Sequence, residues 1–123
     1  MISFDSFIPQ DGFPIYLQIV KYMKSGIVSG TVASGDEVPS RRVLSALLGV
    51  NPNTIQKAYK ILEDEGLMES RSGAKSYMCF DGAAVDAVRK ELLESDAKAI
   101  ITSLKQMGLN KDEALALLET YWE

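Results

Sequence analysis

Between residues 38 and 62 the chain carries Arg41, Arg42, Lys57 and Lys60 and no aspartate or glutamate. Among these cations stand Ser40, Asn51, Asn53, Thr54 and Gln56, all able to donate and accept hydrogen bonds. Guanidinium and ammonium groups bind phosphate oxygens, and arginine also grips guanine with two parallel hydrogen bonds. Asparagine and glutamine can read adenine in the same two-pronged way. The chemistry open to this stretch is recognition of a nucleic acid. Bond making lacks the groups it needs. The chain has no histidine, and Cys79 is its only cysteine. Zinc sites of the Cys/His type and histidine-activated nucleophiles are thereby excluded. The carboxylates are scattered among helix-forming residues and read as solvated surface. No enzyme activity, metal or cofactor is expected.

The net charge is −4, which by itself argues against a nucleic-acid partner. The charge is uneven, however. Residues 81–123 hold five Lys/Arg against nine Asp/Glu, whereas residues 1–80 hold eight of each. A binding face needs local positive charge rather than a basic whole.

These residues need elements to position them. A first helix is predicted over 14–28, with Pro14 in its first turn and Ile15, Ile19, Met23 and Ile27 recurring every four residues. Tyr16 and Val20 lie beside that stripe. Gly26 and Gly30 weaken the helix near its end, and Gly30 fits a position just beyond it. Residues 31–39 read as irregular, with a turn at Gly35-Asp36. A second helix over 41–48 takes Ser40 as its N-cap, turns Val43, Leu44 and Leu47 inward and stops at Gly49. Asn51 as N-cap and Pro52 at the first helical position start a third helix, which runs to about residue 65. Its apolar set is Ile55, Ala58, Tyr59 and Leu62, and its other side carries Asn53, Thr54, Gln56, Lys57 and Lys60. Two helices joined in this way, the second polar and basic outward, form a helix-turn-helix. Tyr59 and Tyr16 are both read as core.

After Gly66 the apolar period changes. Residues 67–71 and 76–80 are predicted as a hairpin around Ser72-Gly73-Ala74-Lys75, which would be a basic-tipped wing. Cys79 reads as a semi-buried strand residue with no redox role. A long helix follows over 82–107, with Val85, Val88, Leu92, Leu93, Ala97, Ile100, Leu104 and Met107 at helical spacing. Gly108 stops it, and Asn110 with Glu113 has the spacing of a capping box. A last helix from residue 111 to about 122 has Leu115, Leu118 and Trp122 on one side, with Leu117 and Tyr121 nearby. The expected fold is mostly α with a small β-hairpin wing. A winged helix-turn-helix occupies residues 1–80, and a two-helix dimerisation segment occupies 81–123. The second part has more apolar surface than a small winged domain can cover, and such a patch marks an interface. A homodimer is expected through Val85, Val88, Leu92, Leu93, Ile100, Leu104, Leu115, Leu118 and Trp122. Its two-fold axis would set two recognition helices about 34 Å, or a multiple of that, apart.

Pro14, Tyr16, Gln18, Ile19, Gly30, Gly35, Pro39-Ser40-Arg41-Arg42-Val43-Leu44, Asn51-Pro52-Asn53-Thr54, Ala58-Tyr59, Leu62, Glu65-Gly66-Leu67 and Gly73 occur in this order. In order and spacing they resemble the DNA-binding domain of the GntR family of bacterial regulators, over residues 13–78. The short C-terminal segment resembles the YtrA-like branch of that family. The resemblance implies a repressor of transcription that binds double-stranded DNA at palindromic operators. It also implies C-terminal helices that dimerise rather than hold a dedicated ligand pocket. Arg42 matches the arginine of the family's Pro-Ser-x-Arg motif and is expected on DNA, with Ser40, Arg41, Asn51, Asn53, Thr54, Gln56, Lys57 and Lys60 around it. Arg71, Gly73 and Lys75 are expected to serve the wing. One departure stands out. Lys75 occupies the place of the wing's usual second glycine, so a side chain rather than bare backbone is offered to phosphate.

Two rival readings compete with this one. A winged-helix module that binds protein is favoured by the net charge, but the acid-free stretch fits DNA better. A sensor holding a small effector in the dimer interface is compatible with the sequence, which shows neither the pocket nor the effector. No apolar run approaches the ~20 residues that span a bilayer. Residues 1–10 carry Asp5 and no basic residue, so no signal peptide is read and the cytoplasm is the expected compartment.

Overall fold

The computed structural model describes residues 1–71 and 75–123, and Gly73 therefore lies outside the described residues. The chain divides into two compact units, Met1–Arg89 and Lys90–Glu123. That division falls inside a long helix, nine residues beyond the boundary expected at the end of the wing.

The first unit is built around helix α1 (Ile15–Ser29). Ile19, Val20, Met23 and Ile27 are buried along its inner face, as their spacing predicts, but Ile15, the first residue of the stripe, is only half-buried. The helix ends on Gly30 at φ 89°, a left-handed turn that suits glycine. Gly26 has a different purpose. A Cβ on it would stand 2.5 Å from Val32 Cγ2, so a hydrogen is all that lets the returning chain pass. The Gly26 carbonyl accepts the N–H groups of Gly30 and Val32, both at 3.0 Å. Residues before α1 also belong to the core. Ile2 and Phe4 are buried, and the rings of Phe4 and Phe7 lie 4.9 and 5.4 Å from that of Tyr22.

Helix α2 (Arg41–Leu48) starts where Ser40 Oγ accepts the Val43 N–H at 3.1 Å, and it ends on Gly49. Of Val43, Leu44 and Leu47, all expected to face inward, only one does. Leu44 is fully buried, but Val43 and Leu47 are 52% and 61% exposed. The second inward residue is Ser45, whose hydroxyl donates to the Val50 carbonyl and so ties the helix end to the turn that follows.

Helix α3 (Pro52–Asp64) has Asn51 as its cap, the side chain accepting the Asn53 N–H at 2.8 Å. Ile55, Ala58, Tyr59 and Leu62 are buried, the same four that the i, i+3, i+4, i+7 spacing selects. Both α1 and α2 pack against α3.

The wing strands are β2 (Met68–Arg71) and β3 (Lys75–Met78), antiparallel with Met68 opposite Met78 and Arg71 opposite Lys75. A third strand, β1 (Glu37–Val38), pairs with the other edge of β3 and gives the order β1-β3-β2. It lies in the segment read as irregular. Two residues are too few to show alternation, and the partner strand is about forty positions away. Met68, Val38 and Met78 close the sheet onto the core.

Helix α4 (Gly82–Gln106) begins with Asp81 Oδ1 accepting the Ala84 N–H at 2.9 Å. Helix α5 (Lys111–Tyr121) begins with the expected capping box: Asn110 accepts from the Glu113 N–H at 2.9 Å, and Glu113 from the Asn110 N–H at 3.0 Å. No side chain of residues 90–123 is buried. Among the described residues, no helix is long and apolar enough to cross a membrane.

Candidate nucleic-acid interface

Helix α3 is held by its apolar face and leaves the other face outward. Tyr59 anchors it to the start of α2, because its buried hydroxyl donates to the Pro39 carbonyl at 2.7 Å. Burial pushes the Tyr59 hydroxyl well above the ordinary tyrosine pKa, and the nearby Arg41 charge offsets this only in part. The phenol therefore stays protonated and keeps donating. This bond fixes Ser40-Arg41-Arg42 at the beginning of α2 against the body of α3.

The cations of the stretch divide into two groups. Arg41 donates to the Gln56 side chain, joining α2 to α3. Lys60 pairs with Asp64 at 3.4 Å, one turn along α3. Arg71 donates to Glu69 Oε1 from two nitrogens, at 3.0 and 2.8 Å, and its guanidinium stacks 4.4 Å from the centre of the Tyr77 ring. These three charges are engaged within the chain. By contrast, Arg42 and Lys75 are exposed and have no partner among the described residues. Lys57 has no acid either; its Nζ stands 5.5 Å from the centre of the Tyr16 ring.

The polar residues divide in the same way. Asn51 is a cap and Gln56 is an arginine partner, so both side chains have work inside the fold. The side chains of Asn53 and Thr54, in the first turn of α3, have no hydrogen bond among the described residues. Ser40 spends its hydroxyl on the cap of α2. Of the residues expected on DNA, the structure thus leaves Arg42, Asn53, Thr54 and Lys75 uncommitted among the described residues, gives Lys57 only the Tyr16 ring, and gives Ser40, Arg41, Asn51, Gln56, Lys60 and Arg71 a partner.

Tyr16 departs from its expected place. Tyr59 is core, but Tyr16 is only half-buried at the start of α1, beside Lys57. Sequence reasoning missed this because a ring on an apolar stripe looks the same whether it fills the core or borders it. Nor does the sequence mark Lys24. It is buried on α1 and paired with Glu65 at 2.7 Å. Cys79 lies just past β3, half-buried, with burial and Glu69 raising its thiol pKa, so it is a poor nucleophile.

In the second unit Leu93, Ile100, Leu115 and Leu118 are exposed, and Trp122 is 82% exposed. Leu92, Leu104 and Val85 are half-buried. Val88 is 5% exposed and belongs to the first unit, so it has almost no surface to give a partner.

A helix-turn-helix with an exposed polar face on its second helix, followed by a wing, is the frame of many DNA-binding proteins. The family model described as bacterial regulatory proteins of the gntR family matches residues 15–77. The chain belongs to the GntR family. The HTH-type transcriptional repressor YtrA of Bacillus subtilis is 35% identical over 123 residues, covering 100% of this chain and 88% of that one. This places the chain in the YtrA-like branch. A solved GntR family regulator from Listeria monocytogenes is 32% identical, with a TM-score of 0.77 over 91% of this chain and 98% of that one. The DNA-binding domain of AraR, solved in complex with operator ORR3, matches with a TM-score of 0.51 and 26% identity. It covers 59% of this chain and 88% of that one. The chain is a DNA-binding transcription regulator of the GntR family and not an enzyme.

Proposed function

We propose that this GntR-family chain is a repressor that binds a palindromic operator as a homodimer, in the cytoplasm. The N-terminal end of α3 enters the major groove, with Asn53 and Thr54 toward base edges. Arg42, at the start of α2, makes a bidentate contact to guanine or phosphate. Lys57 and Lys75 contact phosphates on either side. The apolar side chains of α4 and α5, Val88 apart, form the dimer contact and set the half-site spacing.

The observation that carries this reading is the division among the polar groups. Arg42 stands in the first turn of α2 and Asn53 and Thr54 in the first turn of α3, and none of the three side chains has a partner among the described residues. Side chains with no intrachain task at the groove-facing end of a recognition helix are free to bond a ligand at no internal cost.

The test is selection from a pool of random duplex DNA, followed by titration of the selected sequence at several salt concentrations. A palindrome is expected, with affinity falling steeply with salt as phosphate contacts release counterions. Arg42→Ala should lower affinity about tenfold or more, from the roughly 1–3 kcal/mol of such a contact, and relax the preference at one position per half-site. Arg41→Ala should cost less. Equal losses would reassign the contact to both arginines, and no loss from either would remove α2 from the interface.

A further inference from the structure

Lysine has a long flexible stem, and ordering its ammonium on a phosphate costs side-chain entropy. A neighbouring carboxylate would hold it in place, but would have to be displaced before the phosphate could bind. Among the described residues Lys57 pairs with none. The stretch 38–62 has no acid. Of the acids that follow it, Asp64 pairs with Lys60, Glu65 with Lys24 and Glu69 with Arg71, and Glu63 accepts from Ser70. What Lys57 does meet is an aromatic face, with its Nζ 5.5 Å from the centre of the Tyr16 ring. A ring attracts a cation without neutralising it and leaves the ammonium hydrogens outward. The hydroxyl of Tyr16 has no hydrogen bond among the described residues, so no bond of its own explains the ring's place.

We propose that Tyr16 is a positioning residue that presents the Lys57 ammonium, ordered and still charged, to a DNA phosphate. The proposal rests on the reading of Lys57 as a phosphate contact. Because α1 packs on α3, a residue outside the helix-turn-helix thereby sets part of its affinity.

The test is a double-mutant cycle on the full chain with the selected duplex. Lys57→Ala should lower affinity and reduce the salt slope by about one. Tyr16→Leu should lower affinity about 2- to 5-fold, the range of an exposed cation–π contact, and should do nothing further in the Lys57→Ala background. Tyr16→Phe should keep most of the affinity, because it keeps the ring. Equal effects of Tyr16→Leu in both backgrounds would overturn the proposal. So would a loss in Tyr16→Phe as large as that in Tyr16→Leu, which would make the hydroxyl itself the contact. No effect of Lys57→Ala, while Arg42→Ala still weakens binding, would remove the contact beneath the proposal and the proposal with it. If Tyr16→Leu fails to fold, NMR of the unaltered protein decides. The Lys57 ε-methylene protons should be shifted upfield by the ring current, and Tyr16→Phe should preserve the shift. Unshifted protons would overturn the proposal.

Discussion

Residues 1–89 and 90–123 are both rich in apolar side chains but place them oppositely. The first unit buries Ile19, Met23, Leu44, Ile55, Leu62 and Met78 almost completely. The second buries nothing, and Leu93, Ile100, Ile101, Leu115 and Trp122 are about half to four-fifths exposed. Most helical stability comes from packing an apolar face. The first unit closes its core with its own residues, whereas the second has apolar faces that call for a further surface. In the proposed homodimer a second copy would supply one by two-fold symmetry, and dimerisation would also double the DNA contact.

The largest expected effect would come from breaking the second unit alone. Leu93→Asp combined with Leu118→Asp should turn a dimer into a monomer in sedimentation at micromolar concentration. Affinity for the selected palindrome should fall about 100-fold or more, since two linked half-site contacts become one. Thermal unfolding of the first unit should shift little. A monomeric unaltered protein at that concentration would refute the dimer and leave the exposed faces to another partner.

A smaller effect sharpens the other side of the contrast. Gly26→Ala places a methyl group 2.5 Å from Val32 Cγ2 and 3.2 Å from Thr31 Oγ1. Overpacking of this kind costs typically 1–3 kcal/mol. Chemical denaturation should show a loss of that size with an unchanged m-value. An alanine tolerated without loss would mean that the turn after α1 yields more easily than its hydrogen bonds to the Gly26 carbonyl imply.

Local signals of the fold were legible in the sequence. The caps at Ser40, Asn51 and Asn110 and the inner face of α3 follow from bonds or spacings within a few residues. What could not be read there depends on distant partners. Strand β1 exists because β3 arrives beside it, and Lys24 can be buried because Glu65 meets it from the end of α3. The error on α2 has a related cause. Eight residues make about two turns, so Val43, Leu44 and Leu47 define a broad apolar arc without saying which part faces in. Packing on α3 chose Leu44 and the small Ser45. At the candidate site, residue types pointed to nucleic acid. The preference for Arg42 over the adjacent Arg41 came from the family resemblance and not from residue types, and the bond that Arg41 makes to Gln56 depends on a residue on the next helix.

The smallest expected effect concerns Lys60, the engaged counterpart of Lys57 on the same helix. Its pair with Asp64 is open to solvent on both sides, so it adds little to stability, roughly 0.3–0.5 kcal/mol for such i, i+4 pairs. Lys60→Ala should therefore leave the melting temperature nearly unchanged. Its effect on DNA affinity should be smaller than that of Lys57→Ala, because a Lys60 that reaches a phosphate must first leave a carboxylate, which then repels the same phosphate. Lys60→Ala with Asp64→Asn separates these terms. If Asp64 restrains Lys60, Asp64→Asn alone should raise affinity slightly and the double variant should lose that gain. If the gain persists without the lysine, Asp64 acts on DNA directly by repulsion, and the contrast between engaged and uncommitted cations on α3 does not extend to Lys60.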